Sequence, residues 1–289
     1  MTQEPSPYLH TEAPLWEAID LDDEQEALNW TKTLLDSGED PNSFGETASI
    51  TPLGLAWTNG YTQIVQLLLD VGSRVEFSED FDIAYCLINA PIEASLLLLD
   101  LGVDLSTLIY TNPQGDLMCE GFNNPLSELV AEGEYDKIAK LKPYGLMEFL
   151  NVFEADLGWT PLCELAEKGN LIGVKWLIEQ GADVDANCEA TIGYTALDHA
   201  VHNKNIDVIR LLLSAGANPN IPTWMWATAV DQVINYSTSP RKPRHDPGNK
   251  PDLVEIRKLV LDASKNFPKP TYPNGTTPDL WPPLPRNIK

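Results

Sequence analysis

Positive charge is scarce in this chain. Of 289 residues, 19 are Lys or Arg and 43 are Asp or Glu, a formal charge of −24 at pH 7. The shortage is uneven: residues 1–150 hold 5 Lys/Arg and 27 Asp/Glu, whereas residues 151–289 hold 14 and 16. Nucleic-acid backbones are bound by clustered Lys and Arg, so the first half repels DNA and RNA. Anionic membrane surfaces are disfavoured for the same reason. No run approaches the ~18 apolar residues of a membrane span; Leu96 to Leu99 is closed by Ser95 and Asp100. The opening MTQEPSPYLHTEAP has no basic residue and no apolar core, so a secretory signal is not expected. Cys86, Cys119, Cys163 and Cys188 show neither the Cys-x-x-Cys spacing of zinc or redox sites nor the density of a disulfide scaffold. The expectation is a soluble chain in a reducing, cytoplasmic compartment. Ordinary globular proportions, 43% hydrophobic and 21% charged, exclude wholesale disorder.

Catalytic signatures are also missing. There is no G-x-S-x-G, no G-x-x-x-x-G-K-[ST] and no G-x-G-x-x-G loop. His199 and His202 lie beside Asp198 at helical spacing, but the H-E-x-x-H pattern is absent and no third ligand suggests itself. Acidic pairs such as Asp22-Asp23 and Glu79-Asp80 are too numerous for any one to indicate general acid–base chemistry. No enzyme activity, cofactor or metal is expected.

What the chain does contain is a repeat. TPLGLAWTNGYTQIVQLLLDVGSRV from Thr51, TPLCELAEKGNLIGVKWLIEQGADV from Thr160 and TALDHAVHNKNIDVIRLLLSAGANP from Thr195 align without gaps in their helical parts. Weaker copies begin at APLWEAI, FDIAYCL, NPLSELV and TAVDQVIN. Each feature has a mechanical reason. Thr51 caps a helix with its hydroxyl, and Pro52 stands where a missing N–H costs nothing. Leu53, Ala56, Ile64, Val65, Leu68 and Leu69 recur at helical spacing, and Gly60 and Gly72 end helices in a left-handed conformation. One such unit cannot bury its apolar face alone, so several must stack. The pattern resembles the ankyrin repeat, with its T-P-L-H-x-A start and period of about 33 residues. The resemblance implies an all-α ankyrin-type solenoid of about seven helix-turn-helix repeats joined by hairpin loops. Approximate repeats are 13–50, 51–80, 81–123, 124–158, 159–193, 194–226 and 227–263, followed by a proline-rich strap or tail over 264–289.

Departures from the pattern are informative. Lys204 stands where a glycine is expected, and Lys142-Pro143 should cut short the second helix of the fourth repeat. Residues 107–123 lengthen the connection between the third and fourth repeats. A basic insertion with Arg241, Lys242, Arg244 and Lys250 separates the helices of the last.

In the ankyrin family the hairpin tips and the exposed side of the first helices form the contact surface. The resemblance therefore points to Trp159 and Tyr194, each just before a repeat start, as aromatic anchors. Trp57, in place of the family's second alanine, is a further oversized residue near the groove. Other tips carry Phe44 and Glu46; Phe77, Glu79, Asp80 and Phe81; Tyr110, Asp116, Glu120 and Phe122; and Trp224 and Trp226. Aromatics interleaved with carboxylates suit a basic protein partner, whose encounter the acidic field would speed in a salt-dependent way. The expected partner is another protein, with no direct nucleic-acid or membrane contact and a monomeric free state. Three roles stay open. One is an immunity-type inhibitor that neutralises a basic toxin or nuclease. The second is a regulatory or scaffold module, indifferent to the acidic half. The third is a secreted effector that binds a host protein.

Overall fold

The computed structural model describes residues 14–43, 51–74, 90–100, 105–119, 124–188, 191, 193–223, 227–235 and 253–269. Within these, helices follow one another in short succession along the chain: Pro14–Ile19 packs with Glu24–Asp36 and Pro52–Thr58 with Thr62–Asp70, and Pro125–Glu132 is followed by Tyr135–Leu141. Pro161–Glu167 with Leu171–Glu179, Ala196–His202 with Ile206–Ser214, and Ala229–Asn235 with Leu253–Ser264 continue the series. The helix Ile92–Asp100 falls where the second helix of the expected third repeat should lie; the expected first helix of that repeat lies outside the described residues.

The local reasons for these helices are those the repeat requires. Thr51, Thr160 and Thr195 accept backbone N–H groups three residues on, from Gly54 at 3.0 Å, Cys163 at 3.3 Å and Asp198 at 3.2 Å. Asn124 accepts the N–H of Leu126, two residues on, at 3.0 Å. The following turn needs a positive φ, supplied by Gly60 (φ 75°) and Gly169 (φ 69°). At Gly60 a Cβ would also lie 2.4 Å from Cγ of Pro91, so the close approach of the next repeat adds a second requirement for glycine. Lys204 holds the equivalent place with φ 58°, a strained geometry for a residue with a Cβ. The helix Tyr135–Leu141 ends at Leu141, and a 3₁₀ turn, Lys142–Tyr144, follows, as Pro143 dictates.

The chain divides into two compact units, Met1–Asp104 with Ala139–Tyr144, and Leu105–Ile138 with Gly145–Lys289. In the first, helix Pro52–Thr58 is packed between Pro14–Ile19 and Ile92–Asp100, and every residue from Pro52 to Trp57 is buried. Repeat-to-repeat ties run at the repeat period. The Asn42 side chain accepts the Arg74 N–H (2.8 Å), 32 residues on. In the second unit Asn151 accepts from Asp183 (2.8 Å) and Asp185 from Asn218 (2.7 Å), 32 and 33 residues on. Buried Asn220 donates from its amide to the carbonyls of Ser264 (3.0 Å) and Pro268 (2.9 Å), so the chain leaving the last helix is fastened. The rest of the expected strap, from 270, lies outside the described residues, as does the basic insertion 237–250.

The all-α expectation needs one addition. The lengthened connection is a β-hairpin, β1 (Ile109–Thr111) and β2 (Leu117–Cys119), and β2 pairs in parallel with β3 (Phe153–Glu154). Asn112 makes the turn: its side chain accepts the N–H groups of Gln114 (3.0 Å) and Asp116 (2.9 Å), and Gly115 takes φ 97°. Met118 and Phe153 pack against Cys188 and Ala186 beneath the sheet.

Candidate protein-binding surface

Two half-buried aromatic residues of the second unit meet at one imidazole. Trp159 is set by buried Glu154, whose carboxylate accepts backbone N–H groups from Asp156 (2.8 Å), Leu157 (2.6 Å) and Trp159 itself (3.2 Å). That carboxylate neutralises three amides of a tight loop and holds the Trp159 backbone next to the Thr160 cap. Tyr194 is placed in the same register one repeat later, before Thr195, and its carbonyl accepts the Cys163 thiol (3.7 Å). Between them stands His199, 3% exposed, with ring centroids 4.5 Å from Trp159 and 5.5 Å from Tyr194, both edge-to-face.

His199 is oriented from behind. Its Nδ1 lies 2.8 Å from the Glu167 carboxylate of the preceding repeat, while Nε2 is buried without a hydrogen-bond partner. Burial lowers the His199 pKa below its ordinary value against the opposing pull of Glu167, so the imidazole is neutral at pH 7. Burial works to raise the Glu167 carboxyl, but hydrogen bonds from Asn203 and His199 outweigh it and the pKa is lowered. Glu167 is therefore an anion at the base of the aromatic pair, with its side chain about one-third exposed (34%).

More carboxylates stand on the helix of Glu167 and on the first helix before it. Lys168 bridges Glu164 (2.6 Å) and Glu128 (3.7 Å), and Ser127 donates to Glu164. Burial raises the Glu128 carboxyl. Further in, Asp198 completes a capping box with Thr195 and accepts from Gln232 (3.1 Å); burial pushes its pKa up to about 7.

Of the residues expected at the contact surface, the structure brings together Trp159 and Tyr194. Tyr110 is 42% exposed on β1. Asp116 is half-buried in the hairpin, where it accepts from the Asn112 amide (3.1 Å) and the Cys188 thiol (3.6 Å). Trp57 must be withdrawn from the contact surface. It is fully buried, because its helix is covered on both sides and the ring fills the space between neighbours. Phe44, Glu46, Phe77, Glu79, Asp80, Phe81, Glu120, Phe122, Trp224 and Trp226 lie outside the described residues. His199, Glu167 and Glu154 are additions. His199 occupies the variable position of the T-A-L-D-H-A start, a visible mark in the sequence; Glu154 has no such marker.

Among the described residues no group of three His, Cys, Asp or Glu side chains is arranged to hold a metal ion. No described helix is long and apolar enough to cross a membrane.

Stacked helix pairs with capped starts, glycine turns and a side chain-lined first-helix face define a helical-repeat binding module. Residues 128–223 match the family model of ankyrin repeats, in three copies. Residues 128–223 thus carry ankyrin repeats, and the chain shares the ankyrin repeat fold. It is similar to the 2-5A-dependent ribonuclease of Mus musculus, 44% identical over 59 residues, and to the mitochondrial disaggregase of Homo sapiens, 43% over 77. These stretches are 20% and 26% of this chain and 8% and 11% of the relatives, so the likeness is confined to about a tenth of their length. Among solved structures, the ankyrin repeat domain of Bcl-3 matches with TM-score 0.57 and 17% identity, over 85% of this chain and 97% of that one. A chain from the complex of the Bdellovibrio bacteriovorus predatory endopeptidase Bd0816 with immunity protein Bd3460 matches with TM-score 0.52 and 24% identity, over 71% and 99%. Repeats of this family mediate protein–protein interaction.

Proposed function

We propose that this chain is a non-enzymatic inhibitor of the immunity type, which binds a basic protein such as a toxin or nuclease and neutralises it. The observation that carries the reading is the Trp159–His199–Tyr194 cluster standing on the Glu167 anion. It joins two aromatic surfaces, the side-chain types that concentrate binding energy, to a fixed negative charge. Glu128 and Glu164, which share Lys168, leave one further net negative charge beside it, and the formal charge of −24 supplies long-range attraction for a cationic partner. An immunity protein in complex with an endopeptidase is described in a structure of similar fold, which gives the reading a precedent in kind.

The test is affinity capture from the source cells at low and high salt, followed by an activity assay of the captured protein with and without this chain. Capture of one basic protein, weakened by salt and inhibited on binding, supports the reading. A captured partner that is neutral or acidic and ignores salt leaves a scaffold role in its place. A partner whose activity is unchanged on binding removes inhibition.

A further inference from the structure

The hairpin inserted between repeats offers a second surface, made of different side chains from the Trp159–Tyr194 cluster. In the three-stranded sheet of described residues the order is β1-β2-β3, so β1 is an edge. Its register pairs Ile109 with Cys119, Tyr110 with Met118 and Thr111 with Leu117. The next rung is Asn112 with Asp116, where the Asn112 N–H donates to the Asp116 carbonyl at 3.0 Å. In an antiparallel ladder alternate residues turn both backbone groups to the same neighbour. Tyr110 and Asn112 therefore turn theirs toward β2, and Ile109 and Thr111 turn theirs outward, where no described strand receives them.

The side chains repeat the message. Register partners share a face, so Tyr110, Met118 and Phe153 form one row across the sheet. Met118 and Phe153 are buried, at 4% and 8%, whereas Tyr110 at the end of the row is 42% exposed. A fourth strand beside β1 would continue the row and cover Tyr110. Leu117 and Leu157, exposed at 50% and 48%, add apolar surface on β2 and on the loop after β3.

Charge selects the occupant. The sequence from Val75 to Asp136 contains 13 Asp or Glu and no Lys or Arg, and the hairpin lies inside it. A second copy of this chain would bring the same acid against acid. We propose that β1 is a strand-addition site for an extended, basic segment of a partner protein, held by backbone bonds to Ile109 and Thr111 and by an apolar contact on Tyr110.

The experiment uses the full chain and the peptide acetyl-Lys-Val-Arg-Val-Lys-amide, read by residue-resolved amide hydrogen exchange. At saturation the Ile109 and Thr111 amides are expected to slow by about tenfold or more, as newly bonded amides do. A peptide with Glu at each basic position, and one N-methylated at every residue, should give no protection. Thr111→Pro removes an outward N–H without touching the β1–β2 ladder and should abolish the effect. If that variant fails to keep the hairpin, Tyr110→Ala keeps both outward amides and should weaken protection severalfold. The Trp159→Ala/Tyr194→Ala protein should respond like the parent, which separates this site from the aromatic cluster. The proposal is overturned if the two amides stay unprotected at millimolar peptide, or if the acidic or N-methylated peptide protects equally. Protection that grows with protein concentration alone would assign the edge to self-association instead.

Discussion

Nδ1 of His199 lies 2.8 Å from the carboxylate of Glu167, a residue 32 positions earlier on the preceding repeat. This pair fixes the imidazole on which Trp159 and Tyr194 rest. Because burial lowers the His199 pKa, the native state favours the neutral ring. Its contribution to stability is present above the unfolded value of about 6.5 and is lost as pH falls through the folded one. An NMR titration of His199 should give a midpoint below that of an unstructured histidine. Glu167→Gln, which removes the anion favouring the charged ring, should lower it further. A midpoint at or above the ordinary value would show that Glu167 outweighs burial.

Asp198 gives the opposite slope. Its carboxyl is raised from 3.8 to about 7 by burial, with Thr195 and Gln232 pulling the other way. Between those values the native state retains a proton that the unfolded chain has released. This site's contribution is therefore complete below the unfolded pKa and declines as pH rises to about 7. Denaturant midpoints measured from about pH 4 to pH 8 should fall for the parent relative to Asp198→Asn. Parallel curves would contradict the assignment.

The loop 154–159 depends on one carboxylate. Glu154 is 6% exposed and accepts three backbone N–H groups. Glu154→Ala leaves those amides without their acceptor and should cost about 2–4 kcal/mol. Glu154→Gln, which keeps an acceptor but loses the charge, should cost less. Urea unfolding checks both, and equal losses would mean that packing rather than the charge holds the loop.

Lys204 carries removable strain. Its φ of 58° matches the 75° of Gly60 and 69° of Gly169 at the equivalent turn. Lys204→Gly should stabilise the protein by about 0.5–1 kcal/mol, the left-handed penalty less the extra entropy of an unfolded glycine. A shift to lower denaturant midpoint would show that the lysine side chain contributes more than its backbone costs.

The repeats are legible in the sequence because cap, proline and glycine recur at fixed offsets from Thr51, Thr160 and Thr195, and each acts within its own helix. The hairpin is not. Ile109–Thr111 and Leu117–Cys119 are too short to show an alternating pattern, and the partner that completes the sheet, Phe153–Glu154, is more than 30 residues away in the chain. Trp57 shows the limit of reading by family position. Its place suggests an exposed groove, but coverage by neighbouring helices decides its burial, and side-chain volume at one position does not reveal that. The His199–Glu167 contact is likewise created by stacking, since neither residue's local pattern marks the other.

Trp159 and Tyr194 are the most direct test of the binding account. Once the partner is captured, its dissociation constant should be measured at about 50 and about 500 mM salt, with the parent and with Trp159→Ala/Tyr194→Ala. Loss of two interface aromatics should weaken binding by at least about thirtyfold, and the parent's affinity should fall steeply with salt. Unchanged affinity in a folded double variant, together with indifference to salt, would contradict both the aromatic surface and the role assigned to the acidic charge.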